Sequence, residues 1–425
     1  MDAQNQIQLA DKADNRIELP EEMVLAITKC LPRADLARFL RASRQALRIG
    51  HPVLYTLSVD DSLLTFSWAC RAQMDSVIDY LLPGILAANE DDPKIGYQAL
   101  IYAAKNGRTE VVRQLLAHKV VLDKPEMGLS PLTFAVREDH ADVARLLIAG
   151  GVDLSSVDQN SPHDWNIETL QINTRERILH SAVAWGSVEV LNMLLATDLG
   201  LDIDALDALG LTALCKAAEN GDRALVQILI SHGANLNAAG IIGCTPLHYA
   251  VHGPHTSIVE ILLSAGADPG ARGPDGAYPP PPLLTAAIES HTEIARLLLD
   301  HGADIEDKFD ARGRTALSVA VDFARQSAIL DLFLSRNADI NTQCALGITP
   351  ISYAAGCGNM FAVRKLLAAG CDLRPDHHGR TTEYFIVNNP ALCGTPSAKE
   401  LLDLLGKARK TRAGLAPPPN SAPPS

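Results

Sequence analysis

The sequence predicts an all-α solenoid, a row of helix-turn-helix units stacked side by side. Three observations predict it. An alanine closing a Leu-x-x-Ala type of step recurs at Ala69, Ala103, Ala135, Ala182, Ala217, Ala250, Ala286, Ala320 and Ala354, at steps of 34, 32, 47, 35, 33, 36, 34 and 34 residues. Self-similarity at that period belongs to repeats that cannot bury their apolar faces alone. Hydrophobic residues make up 47% of the 425-residue chain but aromatics only 4%, so the core is built from Ala, Leu, Ile and Val. That suits closely packed small helices better than a sheet sandwich. Glycines such as Gly233, Gly266 and Gly302 follow each apolar second helix and read as left-handed helix stops.

Composition excludes some functions. Lys plus Arg total 37 against 50 for Asp plus Glu, a formal net charge of −13. Such a chain repels a phosphate backbone, so no direct nucleic-acid partner is expected. The first 22 residues lack the apolar run of a secretory signal. No stretch approaches the ~18 apolar residues of a membrane span, so no membrane partner is expected either. Eight cysteines lie scattered with no C-x-x-C pair, which reads as reduced thiols. The expectation is a soluble cytoplasmic and/or nuclear protein.

In chain order, residues 1–16 are polar and expected to be disordered. Residues 17–55 form a separate helical module. Pro20 sits at a helix start with Glu21 and Glu22 in the first turn, and Val24, Ile27 and Leu31 share a face. Pro32 breaks that helix, Asp35 can cap the next, and Leu36, Phe39, Leu40 and Leu47 line it. About forty residues with this much apolar surface rarely fold alone, so they dock on the solenoid, on a partner, or on both. Leu19-Pro20, Glu22-Met23, Ile27, Leu31-Pro32, Asp35-Leu36 and the run Leu40-Arg41-Ala42-Ser43-Arg44 resemble the F-box, although Gln45-Ala46-Leu47 stands where that family often carries Trp. The resemblance implies docking onto the linker subunit of a cullin–RING ubiquitin ligase, with Leu19, Pro20, Ile27, Leu31, Pro32 and Leu36 as the docking face. A plain helical cap sealing the first repeat stays open as the alternative.

Residues 62–406 carry the repeats, about nine plus a degenerate C-terminal one. Thr245-Pro246-Leu247-His248-Tyr249-Ala250 is the clearest copy of a recurring opening, and Val259, Leu262 and Leu263 show the spacing of the second helix. Gly and a Thr or Ser open each unit, the hydroxyl capping free amides. Leu then Ala three residues on share one helix face, and Ala lets the neighbouring helix approach. These features resemble the ankyrin repeat, whose period is ~33 residues with a T-P-L-H-x-A signature. The resemblance implies an ankyrin-repeat solenoid with finger loops and a concave face for a protein partner. An insertion around 155–174 containing Trp165 and the run Pro279–Pro282 interrupt the array. Surface drift explains both; a partner contact anchored by Trp165 is the functional alternative. Residues 407–425 read as a disordered basic and Pro-rich tail. Lys407, Arg409, Lys410 and Arg412 form either a nuclear-import signal or a favourable helix end merging into a linker.

Candidate chemistry is thin. His248, His252 and His255 lie close together, but His248 belongs to the repeat opening and no further ligand completes a zinc set. Cys344, Cys357 and Cys371 precede His377 and His378, yet Cys371 occupies a small-residue position and reads as packing. Asp202, Asp204 and Asp207 lack the Gly and Glu of a calcium loop and read as a finger. No nucleophile elbow, dinucleotide fingerprint or P-loop is present. No cofactor, metal or catalytic site is expected, and the chain is not read as an enzyme.

On an ankyrin reading, partner contacts fall at fingers and just beyond the first helix's Ala pair. Those helix positions include Arg71, Lys105, Arg137, Trp185, Glu219, His252, Glu289, Asp322 and Phe323. They run from basic to acidic with Trp185 between, which reads as a bipolar groove for a protein target or as an ordinary solvated face. The functional expectation is a non-catalytic adaptor that brings a protein target to a cullin–RING ligase. The alternative is a transcriptional coregulator that binds a transcription factor without ligase recruitment.

Overall fold

The computed structural model describes residues 75–122, 130–154, 177–207, 209–273, 278–308, 312–323 and 327–413, with isolated positions between 63 and 73. The regular elements among them are α-helices, and they fall into two compact units that divide between Asp202 and Ile203.

In the first unit Leu63, Phe66, Ala69 and Cys70 are buried helical positions. They precede α1 (Asp75–Asp91), α2 (Pro93–Lys105), α3 (Thr109–Ala117), α4 (Pro131–Arg137), α5 (Ala141–Ala149), α6 (Arg177–Trp185) and α7 (Val188–Ala196). Local chemistry sets the boundaries. The Asp92 carboxylate accepts from the Lys94 amide at 2.9 Å, with Pro93 at the first helical position. The Ser130 hydroxyl accepts from the Thr133 amide at 3.2 Å and caps α4. First helices α2, α4 and α6 pack in succession, and α3, α5 and α7 do the same behind them. Ala103, Ala135 and Ala182 are fully buried at those first-helix contacts.

α1 runs 17 residues through Pro83, whereas α3, α5 and α7 run nine. Leu81, Leu82 and Ile85 are buried on either side of the proline, and that packing outweighs the missing amide.

The second unit holds α8 (Ala213–Asn220), α9 (Arg223–Ser231), α10 (Pro246–His252), α11 (Thr256–Ser264), α12 (Pro282–Glu289), α13 (Thr292–Asp300), α14 (Ala316–Phe323), α15 (Ser327–Ser335), α16 (Pro350–Gly356), α17 (Met360–Ala368), α18 (Thr382–Val387) and α19 (Pro396–Ala413). Even-numbered helices pack on even, odd on odd. Ala217, Ala250, Ala286, Ala320 and Ala354 are fully buried in the even-numbered row. Leu225, Leu229, Ile258, Leu262, Ile294 and Leu298 fill the space between rows. The expected stops are borne out: Gly233, Gly266 and Gly302 have φ of 86°, 101° and 93°.

Two polar ladders tie successive fingers. Backbone bonds run from the Ile241 amide to the Gly210 carbonyl (3.0 Å) and from the His377 amide to the Leu346 carbonyl (3.2 Å). Side chains add a second set. Asp204 accepts from the Asn235 amide at 2.9 Å, Asn237 from the Asp268 amide at 2.9 Å, and Asn341 from the Asp372 amide at 2.6 Å. Asp204 thus serves the finger, as its spacing suggested. Asp207 does too, accepting from the Leu209 and Leu211 amides at 2.9 Å each.

The proline run leads into a helix, with Pro281 as the N-cap and Pro282 the first residue of α12. One boundary differs from expectation. At the C-terminal end the array was expected to stop at Gly406, but α19 continues to Ala413. Gly406 meets no crowded neighbour, and a glycine in a helix interior costs only about 1 kcal/mol. Leu401 and Leu405 are fully buried and hold the helix onto the last repeat, whose α18 is reduced to six residues.

Ala250→Leu tests the close approach. The extra methylenes have no space between α8, α10 and α12, so the variant should lose about 1–3 kcal/mol, read as a lowered urea midpoint.

Candidate functional site

The first helices end in a row of side chains on the finger-facing side of each unit. In the first unit Arg71 is exposed. The Lys105 ammonium sits 5.6 Å from the centre of the Phe134 ring, within range of a cation–π contact. Arg137 is exposed and lies 3.6 Å from the Glu138 carboxylate. Trp185, the last residue of α6, is half-buried.

In the second unit the row is cross-linked between repeats. Glu219 is exposed. His252 Nδ1 lies 2.8 Å from one oxygen of Glu289, and His291 Nδ1 lies 3.6 Å from the other. Asp322 accepts from the Cys357 thiol at 2.7 Å and lies 3.6 Å from Arg314. Burial and the Asp322 bond push the Cys357 thiol up to about 12, so it is a neutral donor and a poor nucleophile. Glu289 and Asp322 therefore face neighbouring cations or donors, and the acidic character expected of this row is partly compensated within it. Phe323 ends α14 and its side chain lies outside the described residues. So do Leu19, Pro20, Ile27, Leu31, Pro32, Leu36 and Trp165.

The finger tips add a group that the sequence reading missed. Leu209, Ile241, Ile242, Tyr278 and Leu346 are 53%, 62%, 53%, 61% and 42% exposed. Large apolar side chains exposed at successive loop tips mark contact surface rather than core. A signal was available, since Leu209, Ile242 and Leu346 each stand immediately before the finger glycine.

The histidines divide as the repeat pattern suggests. His248 Nδ1 accepts from the Thr245 amide at 3.1 Å and its Nε2 lies 3.1 Å from the Pro280 carbonyl. That network assigns the proton to Nε2. Burial drives its pKa down to about 4, against the opposing pull of the Pro280 and Ala271 carbonyls. His255 Nε2 lies 2.9 Å from the Glu219 carbonyl and turns to a neighbouring repeat rather than to His248. Among the described residues no three His, Cys, Asp or Glu side chains converge to hold a metal ion. Cys344 and Cys371 are buried, and burial raises the Cys215 thiol to about 11.

A family model described as ankyrin repeats matches in three copies, over residues 66–158, 179–273 and 275–344. The chain belongs to the ankyrin repeat family. Its helix pairs make it a scaffold for protein–protein interaction, and nothing in them shows catalytic activity. Among curated proteins, the ankyrin repeat, SAM and basic leucine zipper domain-containing protein 1 of Dasypus novemcinctus is 40% identical over 96 residues, 21% of this chain and 20% of that protein. Its Mus musculus counterpart is 39% identical over 87 residues, 19% and 18% of the two chains. The chain thus spans about a fifth of the relatives it matches. Among solved structures, the ankyrin repeat domain of human ASB11 aligns with a TM-score of 0.45 and 24% identity, covering 53% of this chain and 96% of that one. The ankyrin repeat domain of Bcl-3 aligns with a TM-score of 0.47 and 27% identity, covering 53% and 97%. No helix among the described residues is long and apolar enough to cross a membrane.

The His248 environment predicts a pH dependence. Unfolded, the imidazole takes its proton near 6.5; folded, only near 4. Between those values the unfolded chain binds the extra proton, so stability falls as pH drops from about 6.5 to 4 and is fully present above. The loss is at most about 3 kcal/mol. Urea midpoints at pH 7 and 4.5 should differ more for the wild type than for His248→Gln.

Proposed function

We propose that the chain is a non-catalytic adaptor. The array holds a protein target, and the N-terminal F-box-like module recruits a cullin–RING ubiquitin ligase. The observation that carries the target-binding half is the set of exposed apolar finger tips, Leu209, Ile241, Ile242, Tyr278 and Leu346, next to the polar row Glu219, His252, Glu289 and Asp322. An apolar centre rimmed by polar groups is how protein interfaces are built. Arg71, Lys105, Arg137 and Trp185 supply a second contact set of opposite charge. The ligase half rests on Leu19-Pro20, Leu31-Pro32 and the residues between and after them.

One observation favours a second reading, a transcriptional coregulator that binds a transcription factor without ligase recruitment. Lys407 and Lys410 are exposed on α19, in reach of an import receptor. Arg409, of the same cluster, is engaged with Glu383 at 3.0 Å, and that pairing draws part of the cluster into the fold.

Affinity capture separates the two. The full chain should retain the ligase linker subunit, and Leu31→Asp/Leu36→Asp should lose it while the array stays folded; a wild type that fails to retain it removes the ligase reading. Ile241→Glu/Ile242→Glu should lower target affinity at least about tenfold, as expected for hot-spot residues. Arg71→Glu/Lys105→Glu/Arg137→Glu should abolish capture of a target that uses the basic set, read by titration calorimetry.

A further inference from the structure

A groove of about 550 Å³ lies between α1 and α3 in the first unit, on the side of the second helices. Its floor is Leu82, Pro83, Leu86 and Ala87, and its rim carries Asp79, Glu90 and His118. Asp79, Pro83, Leu86 and Glu90 are spaced i, i+4, i+7 and i+11, which places them on one face of α1. Between Asp75 and Asp92 the chain carries five acidic residues and no basic one. Asp75 is engaged by Arg108. Among the described residues no basic side chain pairs with Asp79, Glu90 or Asp91. α1 is also the long second helix of its unit, and the groove runs from its middle into that added length. Among the described residues nothing fills this acidic, partly apolar groove.

We propose that residues 33–48 of the same chain dock in this groove and so fix the N-terminal module onto the first repeats. The segment is the chemical complement of α1. It holds Arg33, Arg38, Arg41, Arg44 and Arg48 against a single Asp35. Its sequence pattern predicts a helix whose apolar positions, Phe39, Leu40 and Leu47, lie beside an arginine stripe formed by Arg38, Arg41, Arg44 and Arg48. The spacings agree: Asp79 and Glu90 stand about 16 Å apart along α1, and Arg38 and Arg48 would stand about 15 Å apart along a helix, at 1.5 Å per residue. The apolar positions enter the groove and the arginines reach its acidic rim. The intervening chain, residues 49 to 62, extends to about 45 Å, longer than the roughly 26 Å of the 17-residue α1 that carries the groove. Leu19, Pro20, Ile27, Leu31 and Pro32 lie outside the docking segment, whereas Leu36 of the ligase-docking face lies inside it, so the two roles share that residue. The inference does not depend on the ligase reading, because it needs only the charge and apolar positions of residues 33–48.

The test is hydrogen–deuterium exchange on the full chain. In the wild type the amides of residues 36–48 should be protected. Asp79→Lys/Glu90→Lys should speed their exchange at least about tenfold, and so should Arg38→Glu/Arg48→Glu. The four changes combined should restore protection, because the charges again oppose. Unchanged exchange at 36–48 in Asp79→Lys/Glu90→Lys overturns the proposal, as does protection that disappears on dilution, which would assign the groove to a second copy. Amides of α4 and α5 report whether the unit stays folded. If the charge reversals unfold it, Leu86→Gln decides: exposure of 36–48 supports the docking and unchanged protection overturns it. Ligase capture plays no part in this readout.

Discussion

Everything in this chain depends on how closely one helix lets the next approach. At Ala217, Ala250, Ala286, Ala320 and Ala354 a methyl group is all that stands between successive first helices of the second unit, and each is fully buried. A larger side chain there would push the repeats apart and open the apolar layer between the two rows. Because each repeat buries its faces only against neighbours, stability is a sum of such contacts. The same spacing brings the finger of one repeat within hydrogen-bond reach of the next, and the backbone and side-chain ladders follow from it.

The junctions show one role filled by different chemistry. His140 and His255 direct Nε2 to the Lys105 and Glu219 carbonyls of the preceding repeats. Asn359 and Asn389 donate to the Val321 and Gly356 carbonyls, and Ser187 donates to that of Val136. Each bond ends on a carbonyl in the last turn of a first helix, and that of Val136 also accepts from the Asp139 amide at 3.1 Å. The positions recur but His, Asn and Ser alternate in them, so no single-residue motif identifies them. Gly221 shows how tightly such a junction is made. It holds φ of 72°, and a side chain there would meet the His255 ring at 2.5 Å.

The surface divides by similar logic. Positions just beyond the buried alanines must be exposed, so Arg71, Arg137, Glu219 and His252 could be read from the repeat alone. Which of them pair could not. Glu289 stands between His252 and His291, and Asp322 between Cys357 and Arg314; the His252 and Cys357 contacts join residues 37 and 35 positions apart in sequence. A row that reads as acidic in the sequence is partly paired in space. Exposed finger apolars present the converse case, since hydrophobicity by itself assigns Ile241 and Ile242 to a core.

The amino-acid sequence determined the repeat, its period, the alanine row, the capping Thr and Ser and the left-handed glycines, because each is a local demand of one helix or turn and recurs with every unit. Tertiary packing decided where helices end and which side chains meet. Pro83 stays inside α1 because Leu81, Leu82 and Ile85 are buried on either side of it, and Gly406 stays inside α19 because Leu401 and Leu405, just before it, are buried against the last repeat; in both, packing outweighs a single residue's preference. The polar partners across repeats were decided there too, because they depend on the distance between units, a quantity that no single repeat contains.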